Sequence, residues 1–177
     1  MNMELNELVK LRRSIRKYKD EQVKKEDIDA ILECVKLAPS WKNSQTGRYY
    51  VALSKEAIEA VRETLPDFNR NSSMNAAYIV ASFKKGLSGA LKPDQMSAEG
   101  DLWGAYDLGL ANAYLVLKAR ELGYDTLIMG IRDENALRAY FAIPEDEIIL
   151  PVIAIGKGDG EPRINKRKEL DEILRVR

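Results

Sequence analysis

Apolar residues recur along the chain with two periods, and the alternation between them predicts the elements. Leu5, Leu8 and Val9 fall on one face of a short amphipathic helix. Ile28, Ile31, Leu32 and Val35 repeat the helical spacing at greater length, with Glu26 and Asp27 at the amino end, and Pro39 stops the run. The polar stretch "PSWKNSQTG" then reads as a loop. Tyr49 to Leu53 predict a strand, and Ser54 is placed to cap a helix carrying Ile58, Val61 and Leu65. "AAYIVASF", residues 76–83, is apolar at nearly every position and predicts a strand buried on both faces. The Gly, Pro, Ser and Lys content of residues 84–100 predicts a long loop.

From Leu102 to Leu122 the chain is apolar nearly all round, with Asp107 and Asn112 the strongly polar residues before Lys118. A helix of this kind is buried on every side, and at 1.5 Å per residue it runs about 30 Å. Its uninterrupted apolar content falls short of the ~20 residues of a membrane span. Two readings cover it: a second copy of the chain, giving a homodimer, or its own domain wrapped around it. Gly123 is expected to close that helix and Asp133 to cap a short one ending near Phe141. "EIILPVIAIGKG" predicts a strand whose Pro151 marks a sheet edge or a strand start. The tail carries a basic cluster, Arg163, Lys166, Arg167 and Lys168, before a short terminal helix. Strands and helices follow one another without a βαβ rhythm, which predicts a single α+β domain over residues 1–177.

Composition narrows the chemistry. Lys plus Arg and Asp plus Glu both number 28, so any electrostatic function is local. Histidine is absent, which removes Ser-His, Cys-His and His-metal mechanisms, and no metal site is expected. Cys34 sits among Ile31, Leu32, Val35 and Ala38 and reads as a small core residue, with a reactive thiol as the alternative. The opening "MNMELNELVK" is acidic and amphipathic and lacks the basic and then apolar order of a signal peptide, so a cytoplasmic location is expected.

"KLRRSIRKYK", residues 10–19, holds six basic residues and no acid. If residues 12–16 are extended, Arg12, Ser14 and Arg16 share one side and can clamp a phosphate, two guanidinium groups and a hydroxyl meeting its oxygens. The alternative is a solvated basic face pairing with Asp20, Glu21 and other acids. Neither a P-loop nor a G-x-G-x-x-G fingerprint is present. Nucleic acid, which would use the same arginines with Trp41, Tyr49 or Tyr50 for stacking, requires a basic field that the matched acids do not leave.

In order, "RRSIRKY", "APSWKNSQ", "DLGLANAYLVLKARELGYDT", "MG", "IPEDE", "PVIAIGKG" and "RINKRKELDEIL" together resemble the FMN-dependent nitroreductase family over nearly the full chain. The resemblance implies an α+β homodimer with a mainly antiparallel central sheet flanked by helices, the long buried helix at the dimer interface, and two FMN sites between subunits. It implies that Arg12, Ser14 and Arg16, with Arg13, hold the ribityl phosphate and the flavin edge. Arg16 is assigned to the edge, where a cation raises the electron affinity of the ring. Arg167 and Lys166 close on the phosphate. Pro39, Ser40, Trp41 and Asn43 match a loop lent to the partner's flavin, Asn69 an asparagine at the pyrimidine edge, and Met129 and Gly130 a turn facing N5. Resembling loops continue Asn-x-Gln-Pro-Trp, whereas here Thr46 and Gly47 stand in place of Pro-Trp, a departure that bears on loop rigidity and one wall of the substrate pocket.

The implied activity is ping-pong hydride transfer from NADH or NADPH to a small aromatic acceptor such as a nitroaromatic or quinone, with the cofactor carrying the chemistry and no catalytic side chain required. A flavin-binding protein of the same fold without nicotinamide-dependent turnover is the competing reading. Residues 84–100 fall where longer members build a lid, and a small lid predicts loose acceptor specificity. Neither a membrane nor a nucleic-acid partner is expected.

Overall fold

The computed structural model describes residues 4–92 and 94–177. Its elements begin with α1 (Leu5–Leu11), α2 (Lys25–Val35), β1 (Gly47–Ala52), α3 (Lys55–Glu63), α4 (Asp67–Ser72) and β2 (Ala77–Lys84). They continue with β3 (Ala90–Lys92), β4 (Gln95–Met96), α5 (Leu102–Glu121), β5 (Asp125–Met129), α6 (Glu134–Phe141), β6 (Glu147–Gly156) and α7 (Leu170–Ile173).

The central sheet has the order β1-β2-β6-β5, with every neighbouring pair antiparallel. This is the α+β arrangement expected from the sequence. The inner strands β2 and β6 carry Ile79, Val80, Ile153 and Ile155, each fully buried. At about 1.5–3 kcal/mol for each aliphatic side chain taken out of water, these two strands supply much of the drive to fold. One face packs on α2 and α5 through Ile28, Ile31 and Leu115, the other on Val61 of α3 and Leu137 of α6. The predicted caps form as expected. The Ser54 hydroxyl accepts from the Ala57 amide at 3.1 Å, and the Asp133 carboxylate from the Ala136 amide at 3.0 Å.

Two expectations need correction. Pro151 marks neither an edge nor a strand start, because β6 is an inner strand. It is accommodated at a β-bulge: Val80 faces Val152 and Ser82 faces Ile149, so Leu150 and Pro151 together oppose Ala81. On the other side β5 ends at Met129 opposite Val152, so the missing amide of Pro151 deprives no ladder partner. The stretch 84–100 is also more than a loop, since β3 and β4 pair there as a small hairpin.

Helix α5 lies across the sheet, and at Gly104 the two surfaces nearly touch. A Cβ at that position would come within 2.3 Å of the Phe83 ring. Gly104, Leu108, Leu115, Val116 and Ala119 are buried against the sheet. Within the chain the helix is not covered all round: Leu102, Tyr106, Gly109 and Ala113 remain exposed, at helical spacing, on a single stripe. No helix among the described residues is long and apolar enough to cross a membrane.

Candidate active site

The basic stretch leaves α1 as a strap across the end of the sheet. The Arg12 amide still donates to Leu8 O at 2.9 Å, and the backbone of Arg12 itself is already extended. Ile15 is buried and its amide donates to Thr126 O at 3.1 Å, fixing the strap to the start of β5. Tyr18 is buried too, with its hydroxyl donating to Ile15 O at 3.1 Å. Burial pushes that phenol well above its ordinary pKa, with the Asp125 charge adding to the effect. The strap then runs beside the end of β6, where the Lys19 amide donates to Lys157 O and the Asp159 amide to Lys17 O, both at 2.9 Å.

Asp125 secures the crossing. One carboxylate oxygen accepts from Arg120 at 2.7 Å and the other from the Gly158 amide at 3.2 Å. A Cβ on Gly158 would stand 2.5 Å from that second oxygen, so glycine is required for the approach.

With the strap in place, Arg12 and Arg13 line a cleft of about 430 Å³ between α1 and α5, and Arg167 of the tail reaches the same cleft. The two basic clusters of the sequence thus meet, though in a different grouping from the one expected. The strap brings Arg13 in with Arg12, while Ser14 and Arg16 lie outside the lining and Arg16 donates to Ser14 O at 3.2 Å. Arg12 is held below the ordinary arginine pKa by burial, and further by the charges of Arg13 and Arg167. Among the described residues none of Arg12, Arg13, Arg16 or Arg167 forms an ion pair, and Lys17 pairs with Asp159 at 2.7 Å rather than with Asp20 or Glu21. Lys10 lines the cleft as well, so four cations face it without a counter-charge among the described residues, which is an arrangement that favours a multiply charged oxyanion such as a phosphate monoester. Lys166 is exposed and outside the cleft lining.

The loop after α2 is held by its own chain. The Trp41 amide donates to Asp107 Oδ2 at 2.9 Å, the Trp41 ring lies 4.6 Å from that of Trp103, and Lys42 Nζ donates to Leu91 O at 3.1 Å. Ser40 Oγ accepts from the Gln45 amide at 3.0 Å. These contacts hold Lys42, Asn43 and Gln45 at φ of 48°, 56° and 48°, a left-handed conformation costing roughly 1–3 kcal/mol per non-glycine residue. Pro39 and Ser40 sit at the mouth of this loop, and Asn43 is exposed. At the far end of β5, Met129 is buried and Gly130 is exposed, with nothing within 4 Å of where a Cβ would stand. Gly130 stands four residues after Thr126, roughly 13 Å along the strand direction. Asn69 is half-buried in α4, and its carbonyl accepts from Ser73. No hydrogen bond among the described residues links it to the strap or to Gly130.

The hold of Asp107, Trp103 and Lys42 on this loop is not predicted by the sequence. The signal for Asp107 was present, a single acid inside an apolar helix turn, but its partners lie on two distant loops. Its Oδ2 also accepts from the Ser88 hydroxyl at 2.5 Å, which ties the hairpin segment to the Trp41 loop.

The profile of the nitroreductase family matches residues 9–157. A relative in Archaeoglobus fulgidus, named "Putative NADH dehydrogenase/NAD(P)H nitroreductase", is 30% identical over 153 residues, covering 84% of this chain and 82% of the relative. A Bacillus subtilis protein named FMN reductase [NAD(P)H] is 27% identical, covering 95% of this chain and 72% of its own. Among solved structures, the "putative nitroreductase in complex with FMN" of Exiguobacterium sibiricum 255-15 has the same fold, with a TM-score of 0.86 at 23% identity over 100% of this chain and 99% of that one. With the matched profile spanning the strap, the loop, the long helix and the whole central sheet, this chain belongs to the nitroreductase family.

Proposed function

We propose that this chain is an FMN-dependent oxidoreductase that takes electrons from NADH or NADPH and reduces small flat acceptors such as nitroaromatics and quinones. The observation that carries the reading is the convergence of Arg12, Arg13 and Arg167 on one cleft without a counter-charge. Their guanidinium groups suit the ribityl phosphate, donating planar, charge-assisted hydrogen bonds to its oxygens. The FMN carried by the Exiguobacterium protein of the same fold supports the choice of flavin.

The remaining assignments follow the course of β5. Ser14 and Arg16 leave the cleft toward the flavin edge, where a cation favours the reduced ring. Met129 and Gly130 close the opposite end, where open space above Gly130 admits a flat ring to the backbone. Asn69 is assigned to the pyrimidine edge and Lys166 to the phosphate alongside Arg167. When bound, the flavin supplies hydride transfer between the nicotinamide and the acceptor in alternating half-reactions. The chain's own residues bind, orient and tune, which agrees with a sequence that has no histidine.

The exposed stripe of Leu102, Tyr106, Gly109 and Ala113 supports a homodimer about α5. Ala113 belongs to this stripe and also lines the cationic cleft, so a partner seated on α5 borders the cofactor. Pro39, Ser40, Trp41 and Asn43 would then face the partner's flavin. The small β3–β4 hairpin offers little cover and supports broad acceptor use, in a cytoplasmic enzyme.

Purification tests the proposal. The protein is expected to be yellow, to bleach with NADH or NADPH, and to regain its colour with menadione. A colourless protein that cannot be reconstituted with FMN overturns it, and a yellow protein inert to both donors overturns the turnover.

A further inference from the structure

Strand β6 outruns β5. The two pair from Asp125 opposite Gly156 to Met129 opposite Val152, and the first half of β6, before Val152, has no β5 residue beside it. Arg132, in the segment between β5 and α6, reaches into this gap. One terminal guanidinium nitrogen donates to Ile149 O of β6, and the other donates to Gly130 O at 2.6 Å. Glu134 stands 3.5 Å from the guanidinium as its counter-charge, and the Arg132 side chain is 19% exposed, so the group faces the body of the domain.

Gly130 is thereby held from both sides. Met129 before it closes the ladder opposite Val152, and the guanidinium after it fixes its carbonyl. Glycine has the least conformational restraint of its own, so the restraint here comes from Arg132. The next fixed point along the chain is the Asp133 amide, which donates to Thr64 O at 2.7 Å. In a trans peptide the N–H points away from the carbonyl, so a Gly130 carbonyl drawn in to the guanidinium turns the Ile131 amide outward. Among the described residues neither the Gly130 amide nor the Ile131 amide donates a hydrogen bond, and both residues are exposed. The turn therefore presents free donors on a fixed backbone.

We propose that Arg132 is a positioning residue: by tying Gly130 O to Ile149 O it holds the free amides of residues 130 and 131 as preset hydrogen-bond donors for the edge of the flavin ring. The inference rests on the flavin reading of this site. In this role Arg132 acts through the backbone and need not touch the ring. A donor held in place favours the oxidised ring, whose N5 accepts a hydrogen bond, over the reduced ring, whose N5 carries a hydrogen of its own. Loss of Arg132 therefore weakens oxidised FMN more than reduced FMN.

Two measurements on the purified full chain test this role. Without flavin, amide relaxation NMR is expected to give order parameters near ~0.85 at Gly130 and Ile131 in the natural sequence and below ~0.6 in Arg132→Ala, with β2 and β6 unchanged. With FMN bound, a spectroelectrochemical titration is expected to show a midpoint potential about 30 mV higher in Arg132→Ala, the equivalent of oxidised FMN weakened about tenfold relative to reduced FMN. Arg132→Lys can reach one of the two carbonyls and is expected to give a smaller shift of the same sign; it carries the comparison if the alanine variant fails to fold. Order parameters that stay near ~0.85 in Arg132→Ala overturn the inference. So does an unchanged potential with a lowered unfolding midpoint in a protein that still binds FMN, because Arg132 is then a brace of the fold alone. A protein that binds no flavin overturns the underlying flavin reading and, with it, this role.

Discussion

The backbone amide of Trp41 donates to the carboxylate of Asp107 at 2.9 Å, across 66 residues of chain. Through the same oxygen Asp107 also holds Ser88, so one buried acid fixes both the loop of residues 39–45 and the segment leading into the β3–β4 hairpin. Asp107→Ala leaves two donors without their acceptor and is expected to cost about 1–3 kcal/mol in denaturant unfolding. Amide exchange is expected to accelerate in residues 39–45 and 86–92 more than in β2 or β6. Uniform acceleration would show that Asp107 acts on the whole fold and not on the two loops.

Arg12→Ala and Arg167→Ala each remove a charge-assisted contact with the proposed phosphate. Each is expected to weaken FMN about 10- to 100-fold in a fluorescence titration, in proportion to roughly 1.5–3 kcal/mol. Arg16→Glu places an acid at the flavin edge, and unchanged FMN affinity in that variant would remove Arg16 from the site.

The stripe on α5 predicts the assembly. Tyr106, 58% exposed in the chain, sits in its middle, and Tyr106→Glu puts a charge into any interface formed there. Sedimentation velocity is expected to show a dimer for the natural sequence and a monomer for the variant. A wild-type monomer at micromolar concentration would exclude α5 as a subunit interface.

Gly104→Ala sets two effects against each other. Helix propensity favours alanine by about 1 kcal/mol, but the added methyl meets the Phe83 ring at 2.3 Å. Overpacking of a filled core costs typically about 1–3 kcal/mol, so net destabilisation is expected, with a lower midpoint of thermal unfolding. The double variant Gly104→Ala/Phe83→Leu should recover part of that loss.

Alkaline pH should unfold the protein through its tyrosines. The Tyr50 phenol is pushed up to about 12 by burial, then by its hydrogen bond to Glu147 and the charge of that carboxylate. Tyr18, Tyr49 and Tyr78 are raised too, with burial the largest cause in each. A phenol raised in the folded state keeps its proton better there than in the unfolded chain, where the value is near ~10. The stabilisation is therefore complete below pH ~10 and is lost as pH rises through the folded values. Unfolding free energy is expected to fall above pH ~10, and Tyr50→Phe to flatten that slope.

Where a segment's own residues set its structure, the sequence was readable. The buried strand of residues 76–83, the caps at Ser54 and Asp133, and the long helix closed by Gly123 all followed from periodicity and turn chemistry. The β3–β4 hairpin escaped because strands of three and two residues have no period to detect. Pro151 misled because a bulge depends on the register of the neighbouring strand. The site divides in the same manner. The resemblance brings arginines from near both ends of the chain together, and Arg12 and Arg167 do line one cleft, whereas the grouping of Arg13 with Arg12 depends on how the strap crosses the sheet. The hold of Asp107 on Trp41 and Ser88 arises from long-range packing that leaves no local mark.

Arg12 stands near the beginning of the chain and Arg167 near its end, yet both face one cleft. An anion bound there acts as a removable clasp between the two termini. Like charges that would push the tail away become the means of fastening it, and the fastening strengthens with ligand concentration. Resistance of residues 161–177 to proteolysis would then report how much cofactor the protein carries.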